Sequence, residues 1–218
     1  MIRRIFAKVL FTAAVTAISS SVFAVAPGFY IGAMMGPATN NGGIQPAQVT
    51  PTTTTPASPR STQFGTRVFM GNKIGNYAAV EGGLTYFSSV NYNTYGVQTC
   101  SGTTARVRDF DVVAKGIFPI TNAFDVFGKA GAALVYQTTS GGLNPVSSGT
   151  SGVCGQTQYK NNIRPTFSIG ASYGINQNWV TDFSINRTNV GGILSNVTLY
   201  AIGISYHFVD IYCGQFLC

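Results

Sequence analysis

The chain has 218 residues, enough for one domain with a sizeable core, and only 9% of them are charged, against about 25% in an ordinary soluble domain. Glycine is abundant, at 26 residues, and aromatics are frequent, a composition that disfavours a water-soluble globule and suits a protein with one surface in lipid. The formal net charge is +7, but the basic residues outside the N-terminus are scattered, which excludes the clustered Lys/Arg footprint of a nucleic-acid binder.

Residues 1–24 read as a secretory signal peptide. Met1 to Lys8 is cationic, Val9 to Ile18 is a short apolar stretch, and Val22-Phe23-Ala24 suits cleavage after Ala24. The apolar stretch falls short of the ~20 residues a membrane-spanning helix needs. Removing Arg3, Arg4 and Lys8 with this leader leaves ten basic and six acidic residues. Position 25 is Val and not Cys, so no lipid anchor is expected there. No later segment has ~18 consecutive apolar residues, so no transmembrane helix is expected after the leader. A secreted chain with this composition then has closed β-barrels as its way of satisfying backbone polar groups in lipid.

The alternation of apolar and polar residues predicts eight strands in chain order. They are Gly28 to Met35, Thr66 to Lys73, Tyr77 to Phe87, Arg106 to Phe118, Ala123 to Gln137, Arg164 to Gly174, Asn178 to Arg187 and Val197 to Phe208. Tight turns join the second to the third, the fourth to the fifth and the sixth to the seventh; longer segments join the others. Short turns on one side and long loops on the other mark an outer-membrane barrel. Within the last strand, Tyr200, Ile202, Ile204, Tyr206 and Phe208 share one face, and Ala201, Gly203, Ser205 and His207 the other. The small and polar face suits a narrow lumen and the bulky apolar face suits lipid. Aromatics such as Phe29, Tyr86, Phe118, Tyr136 and Trp179 collect near strand ends, as interfacial girdles do.

The expected fold is therefore all-β, an eight-stranded antiparallel up-and-down transmembrane β-barrel. It occupies residues 25–208 and is followed by a short tail, 209–218. Loop 1 contains PAQVTPTTTTPASPRST, Pro46 to Thr62, a segment too poor in apolar residues to fold by itself and expected to be a solvated loop.

Strand phase sends certain charges inward. Glu81 is out of phase with Val80, Gly82 and Leu84; Lys115 lies between Ala114 and Gly116; Lys129 lies between Gly128 and Ala130; Asp182 is on the polar face of the seventh strand. An Arg or Lys facing lipid at mid-membrane would cost ~2–4 kcal/mol. Glu81, Lys115, Lys129 and Asp182 are accordingly expected to form a charge network that plugs the lumen. Eight strands leave an interior that side chains can fill, so an open pore is not expected.

Cys100 in loop 2 and Cys154 in loop 3 share the outer, oxidising side and are candidates for a disulfide; Cys213 and Cys218 in the tail could close a second, small ring. Free or intermolecular thiols are the alternative. The cysteine spacings match no zinc motif, and neither metal nor cofactor is expected. His207, the sole histidine, shares a face with Ser205, a pair too slight to predict a lipid hydrolase, so no enzyme and no catalytic residue is expected.

The motif Gly28-Phe29-Tyr30-Ile31-Gly32, the stretch AVEGGLTYF from Ala79 to Phe87, and LYAIGISYHF from Leu199 to Phe208 resemble strands of the transmembrane domain of outer-membrane protein A and its small eight-stranded relatives. The resemblance covers about Pro27 to Phe208. It implies interlocking acid–base pairs in the lumen, with Glu81 and Lys115 at two of their positions. An acidic partner is replaced by Ser172 and a basic one by Asp182. It also implies an assembly signal at the terminal aromatics Tyr206 and Phe208, read by the barrel-assembly machinery. The tail VDIYCGQFLC is a departure that leaves a tail residue as the alternative signal. No peptidoglycan-binding domain follows, so tethering through one is not expected.

The function so implied is an integral outer-membrane barrel of a Gram-negative cell with a structural or surface-interaction role. Its partners would be outer-membrane lipid and lipopolysaccharide, the barrel-assembly machinery, and host or surface ligands met by four extracellular loops. A small or gated channel is the alternative, ahead of a lipid-modifying enzyme. A soluble ligand-binding barrel would need the bulky faces turned inward.

Overall fold

In the computed structural model, residues 27–42, 45–50, 53–59, 62–94, 104–140, 157–191 and 194–208 are described. The segment expected to be a signal peptide, the four cysteines and residues 209–218 lie outside the described residues.

Eleven strands follow one another along the chain. They are β1 (Gly28–Gly42), β2 (Gln45–Thr50), β3 (Thr53–Pro59), β4 (Thr62–Ile74), β5 (Ala78–Phe87), β6 (Val90–Thr94), β7 (Thr104–Pro119), β8 (Phe124–Ser140), β9 (Thr157–Gly174), β10 (Trp179–Asn189) and β11 (Leu194–His207). Eight of them, β1, β4, β5, β7, β8, β9, β10 and β11, pair antiparallel with their neighbours in a ring. The ring closes where β1 meets β11, with Tyr30 opposite His207 and Met35 opposite Ile202. Closure leaves this barrel wall without an unpaired edge, which is what a lipid surround demands.

Each barrel strand overlaps its predicted segment and agrees with it to within one residue at the tight-turn end, where β5, β8 and β10 begin one residue later than predicted and β11 ends one residue earlier; most of the extra length is at the loop end. β9 begins at Thr157 and not Arg164, and β1 continues from Met35 to Gly42. The added residues are mostly polar, so the wall continues in water above the apolar band. That part of a strand lacks the apolar alternation used to predict it.

The tight turns are held by their own side chains. Thr121 Oγ1 accepts from the Ala123 and Phe124 amides at 3.2 and 3.0 Å. Asn176 Oδ1 accepts in the same way from Asn178 and Trp179 at 2.9 and 2.8 Å. Ser/Thr and Asn side chains stabilise turns by mimicking a backbone acceptor. The turn between β4 and β5 instead uses Gly75 at φ 65°, a left-handed conformation that glycine adopts without steric cost.

Loop 1 differs from expectation. Its Thr- and Pro-rich segment forms the β2–β3 hairpin, with Pro46 opposite Pro56, and β3 pairs with β6, where Ala57 faces Thr94. β6 follows β5 after two residues and pairs with β7 through Val90 and Asn91. The hairpin needs no core of its own because β6 offers it an open ladder. Threonine is also favourable in strands, a propensity that the low apolar content of the segment conceals.

Candidate functional site: the charged lumen

Alternation decides what faces inward. Along β4, Arg67, Phe69, Gly71 and Lys73 point into the barrel, and Val68, Met70 and Ile74 point out. Along β5, Glu81 is buried while Val80 and Leu84 are exposed. The outward faces of all eight strands carry most of the large apolar side chains, and the inside holds charged, polar and small residues together with buried apolar ones such as Met34, Phe69, Phe87, Phe127 and Leu199.

Glu81 is the hub of the interior, with 0% of its surface exposed. Its Oε1 accepts from the Tyr30 hydroxyl at 2.8 Å and lies 3.3 Å from Lys115 Nζ. Its Oε2 accepts from Lys129 Nζ at 2.5 Å and lies 3.6 Å from Arg67 Nη1. Arg67 makes a two-pronged pair with Asp111, Nε to Oδ2 at 3.1 Å and Nη2 to Oδ1 at 2.6 Å, the geometry in which guanidinium and carboxylate bind best. Aromatic rings wall the cations. Lys115 stands 4.3 Å from the centre of the Phe127 ring, and Arg67 and Lys129 each stand 5.3 Å from that of Phe69.

Glycines make room for this layer. A Cβ on Gly83 would collide with the Arg67 guanidinium, and one on Gly71 would lie 2.6 Å from Tyr30 Cζ. The narrow interior cannot take large side chains on neighbouring strands at the same level, so glycine stands beside the largest.

Of the four charges expected in the lumen, the structure brings Glu81, Lys115 and Lys129 together. Asp182 stands apart from them. Its oxygens accept from Ser172 at 2.7 Å and Ser205 at 2.9 Å, and Ser172 is its direct cross-strand neighbour. A short side chain on the far wall is satisfied by adjacent hydroxyls. Two residues that phase alone would have revealed were missed: Arg67, between outward Thr66 and Val68, and Asp111, between outward Phe110 and Val112. Tyr30 carried no signal, because its hydroxyl becomes relevant only once β1 is set across from β5.

Cavities lie on either side of the layer. Toward the loops, Arg67, Asp111, Lys129 and Leu199 line a void of about 20 Å³. Toward the turns, a vestibule of about 220 Å³ is bounded by Lys73, Lys115, Asp125, Asp182 and His207. The His207 ring stacks on Tyr30 at 4.6 Å, while the Ser205 hydroxyl is turned to Asp182. Tyr206 and Phe208 face outward at the seam. Their rings are 5.0 Å apart, and the Phe208 amide donates to the Phe29 carbonyl at 2.9 Å.

A closed ring of eight antiparallel strands, apolar outside and charged inside, with short turns at one end, defines an integral β-barrel of the outer membrane. The chain belongs to the OmpA-like transmembrane domain family, whose sequence profile matches residues 25–210. An uncharacterized protein of Coxiella burnetii is 29% identical over 175 residues, covering 68% of this chain and 70% of that one. Among solved structures, Neisserial surface protein A superimposes with a TM-score of 0.56 at 15% identity, covering 83% of this chain and 97% of that one. The outer membrane protein OprG from Pseudomonas aeruginosa gives a TM-score of 0.57 at 13% identity, covering 86% of this chain and 99% of that one. At these identities the two structures support the fold alone.

Proposed function

We propose that the protein is a structural membrane anchor that displays its loops on the cell surface, with a lumen plugged by the layer around Glu81. The observation that carries this reading is the convergence of Tyr30, Arg67, Lys115 and Lys129 on one fully buried carboxylate between two separate cavities. Each cation has a partner and an aromatic wall, so ions would have to displace a paired layer to pass. Lipopolysaccharide and outer-membrane lipid surround the barrel, the assembly machinery reads Tyr206 and Phe208, and the loops meet host or surface ligands. The β2–β3 hairpin supports that last role, because it carries strand structure beyond the barrel wall.

A gated channel is the second reading. It is favoured by the position of Arg67, which holds Asp111 at 2.6 Å and stands 3.6 Å from Glu81, within reach of a rival partner. Planar-bilayer recording separates the two. The plugged anchor gives no steady conductance from the wild type, whereas a gate gives discrete openings whose frequency changes in Glu81→Ala. Unchanged traces in that variant leave Glu81 a structural role only.

A further inference from the structure

The charges of the barrel are sorted by face. The five acidic residues among those described, Glu81, Asp109, Asp111, Asp125 and Asp182, all have inward strand phase. Of the described charged residues, those with outward phase on the barrel strands are Arg106, Arg108 and Arg187, all in the loop half of the wall. The turn-end rim is ringed by outward aromatics, including Phe118, Trp179 and Tyr206, and its three turns carry no charge. The lipid-facing surface is therefore neutral at one interface and purely basic at the other.

Two of these arginines are grouped. Arg106 and Arg108 are successive outward residues of β7, and Arg108 sits level with Tyr86 of β5 and Tyr136 of β8 across the ladders. Arg108 and the two tyrosines line an outward groove of about 540 Å³, whose floor toward the membrane centre is Leu84 and Phe110 and whose far side is Tyr159. An arginine facing hydrocarbon is costly, and the cost vanishes where it meets an anionic headgroup at the interface. The guanidinium fork matches the oxygens of a phosphate, and tyrosine hydroxyls can donate to the same group. Apolar side chains below would lie along an acyl chain.

We propose that this groove is a binding site for a phosphorylated, acylated glycolipid of the outer leaflet, with Arg108 in its lining holding a phosphate, Arg106 beside it next to the lining residue Thr138, and Leu84 and Phe110 along an acyl chain. The inference rests on the reading that the loop end faces outside. It goes further in assigning one patch of the wall, and one chemical group, to a lipid that would otherwise be bulk solvent for the barrel.

The test uses the full mature chain refolded in phosphatidylcholine nanodiscs and titrated with lipid A, or with the same lipid stripped of its phosphates. Retention of a boiling-dependent shift on SDS gels shows that each variant is folded. The wild type is expected to bind lipid A at least ten-fold more tightly than the phosphate-free lipid. R106Q/R108Q is expected to lose that preference, Y86F/Y136F to lose part of it, and R187Q, outside the groove, to keep it within two-fold. A folded wild type with no preference for phosphate overturns the site, and so does an R106Q/R108Q variant that binds as the wild type does. A wild type that shows no boiling-dependent shift fails the barrel reading itself, a different and distinguishable result.

Discussion

Glu81 faces three cations and a phenol in a space where water has little room, so its charge is indispensable to its neighbours. Removing one member of a buried ion pair typically costs about 3–5 kcal/mol, because the partner is left charged and unpaired. Glu81→Ala should therefore lower unfolding stability in vesicles by that order, measured by urea titration of tryptophan fluorescence. Lys129→Met should cost less, since Glu81 keeps Lys115 and Arg67. The double variant Glu81→Ala/Lys129→Met should be more stable than the two single losses add up to, because it removes both charges of the 2.5 Å pair together. Simple additivity would show that the two residues act independently. The inward placement of these groups was legible in the residues themselves: Glu81 between Val80 and Gly82 can face only one way in a half-apolar strand. Their partnerships were not, because Arg67 and Asp111 are 44 positions apart in the chain and meet only over the intervening β5, on the inner face of the wall.

Among the elements, β11 joins the two ends of the chain. It pairs with β1 over Tyr30 to Gly42 and with β10 over Trp179 to Asn189; at the turn-end rim Phe208 packs tilted against Phe29, and Tyr206 packs edge-to-face with Trp179. If Phe208 is the residue read during assembly, Phe208→Ala should reduce the heat-modifiable form in the outer membrane several-fold, measured on gels of membrane fractions. Removal of residues 209–218 should leave it unchanged. The reverse pattern would move the signal into the tail. Strand positions were readable wherever one face met lipid, since a period of two cannot slip without exposing the wrong face. They faded where β1 and β9 rise above the membrane, and they failed for the β2–β3 hairpin. There, backbone pairing to β6 replaces the apolar burial that sequence patterns register.

For the whole molecule, closure puts the loop ends of all eight strands on one side; Cys100 and Cys154 lie outside the described residues, and in the chain they follow β6 and β8. A bridge between them would link the connection before β7 to the connection after β8, two strands that pair directly. Non-reducing mass mapping of the mature protein should recover a peptide linking Cys100 to Cys154. Finding those two thiols free, or joined to another chain, would end that pairing.

Composition, the alternation of apolar with small residues, and the rhythm of short and long connections determined by themselves that this chain is a barrel in lipid. They also determined which side chains turn inward, because each follows from local geometry and from the cost of placing a charge in hydrocarbon. Only the tertiary structure decided which inward charges meet. Register and the narrow bore placed Arg67, Lys115 and Lys129 around Glu81 and left Asp182 to Ser172 and Ser205. They also set Arg108 between Tyr86 and Tyr136 on the outer face. Those neighbours come from different strands, and no spacing along one strand encodes the distance between them.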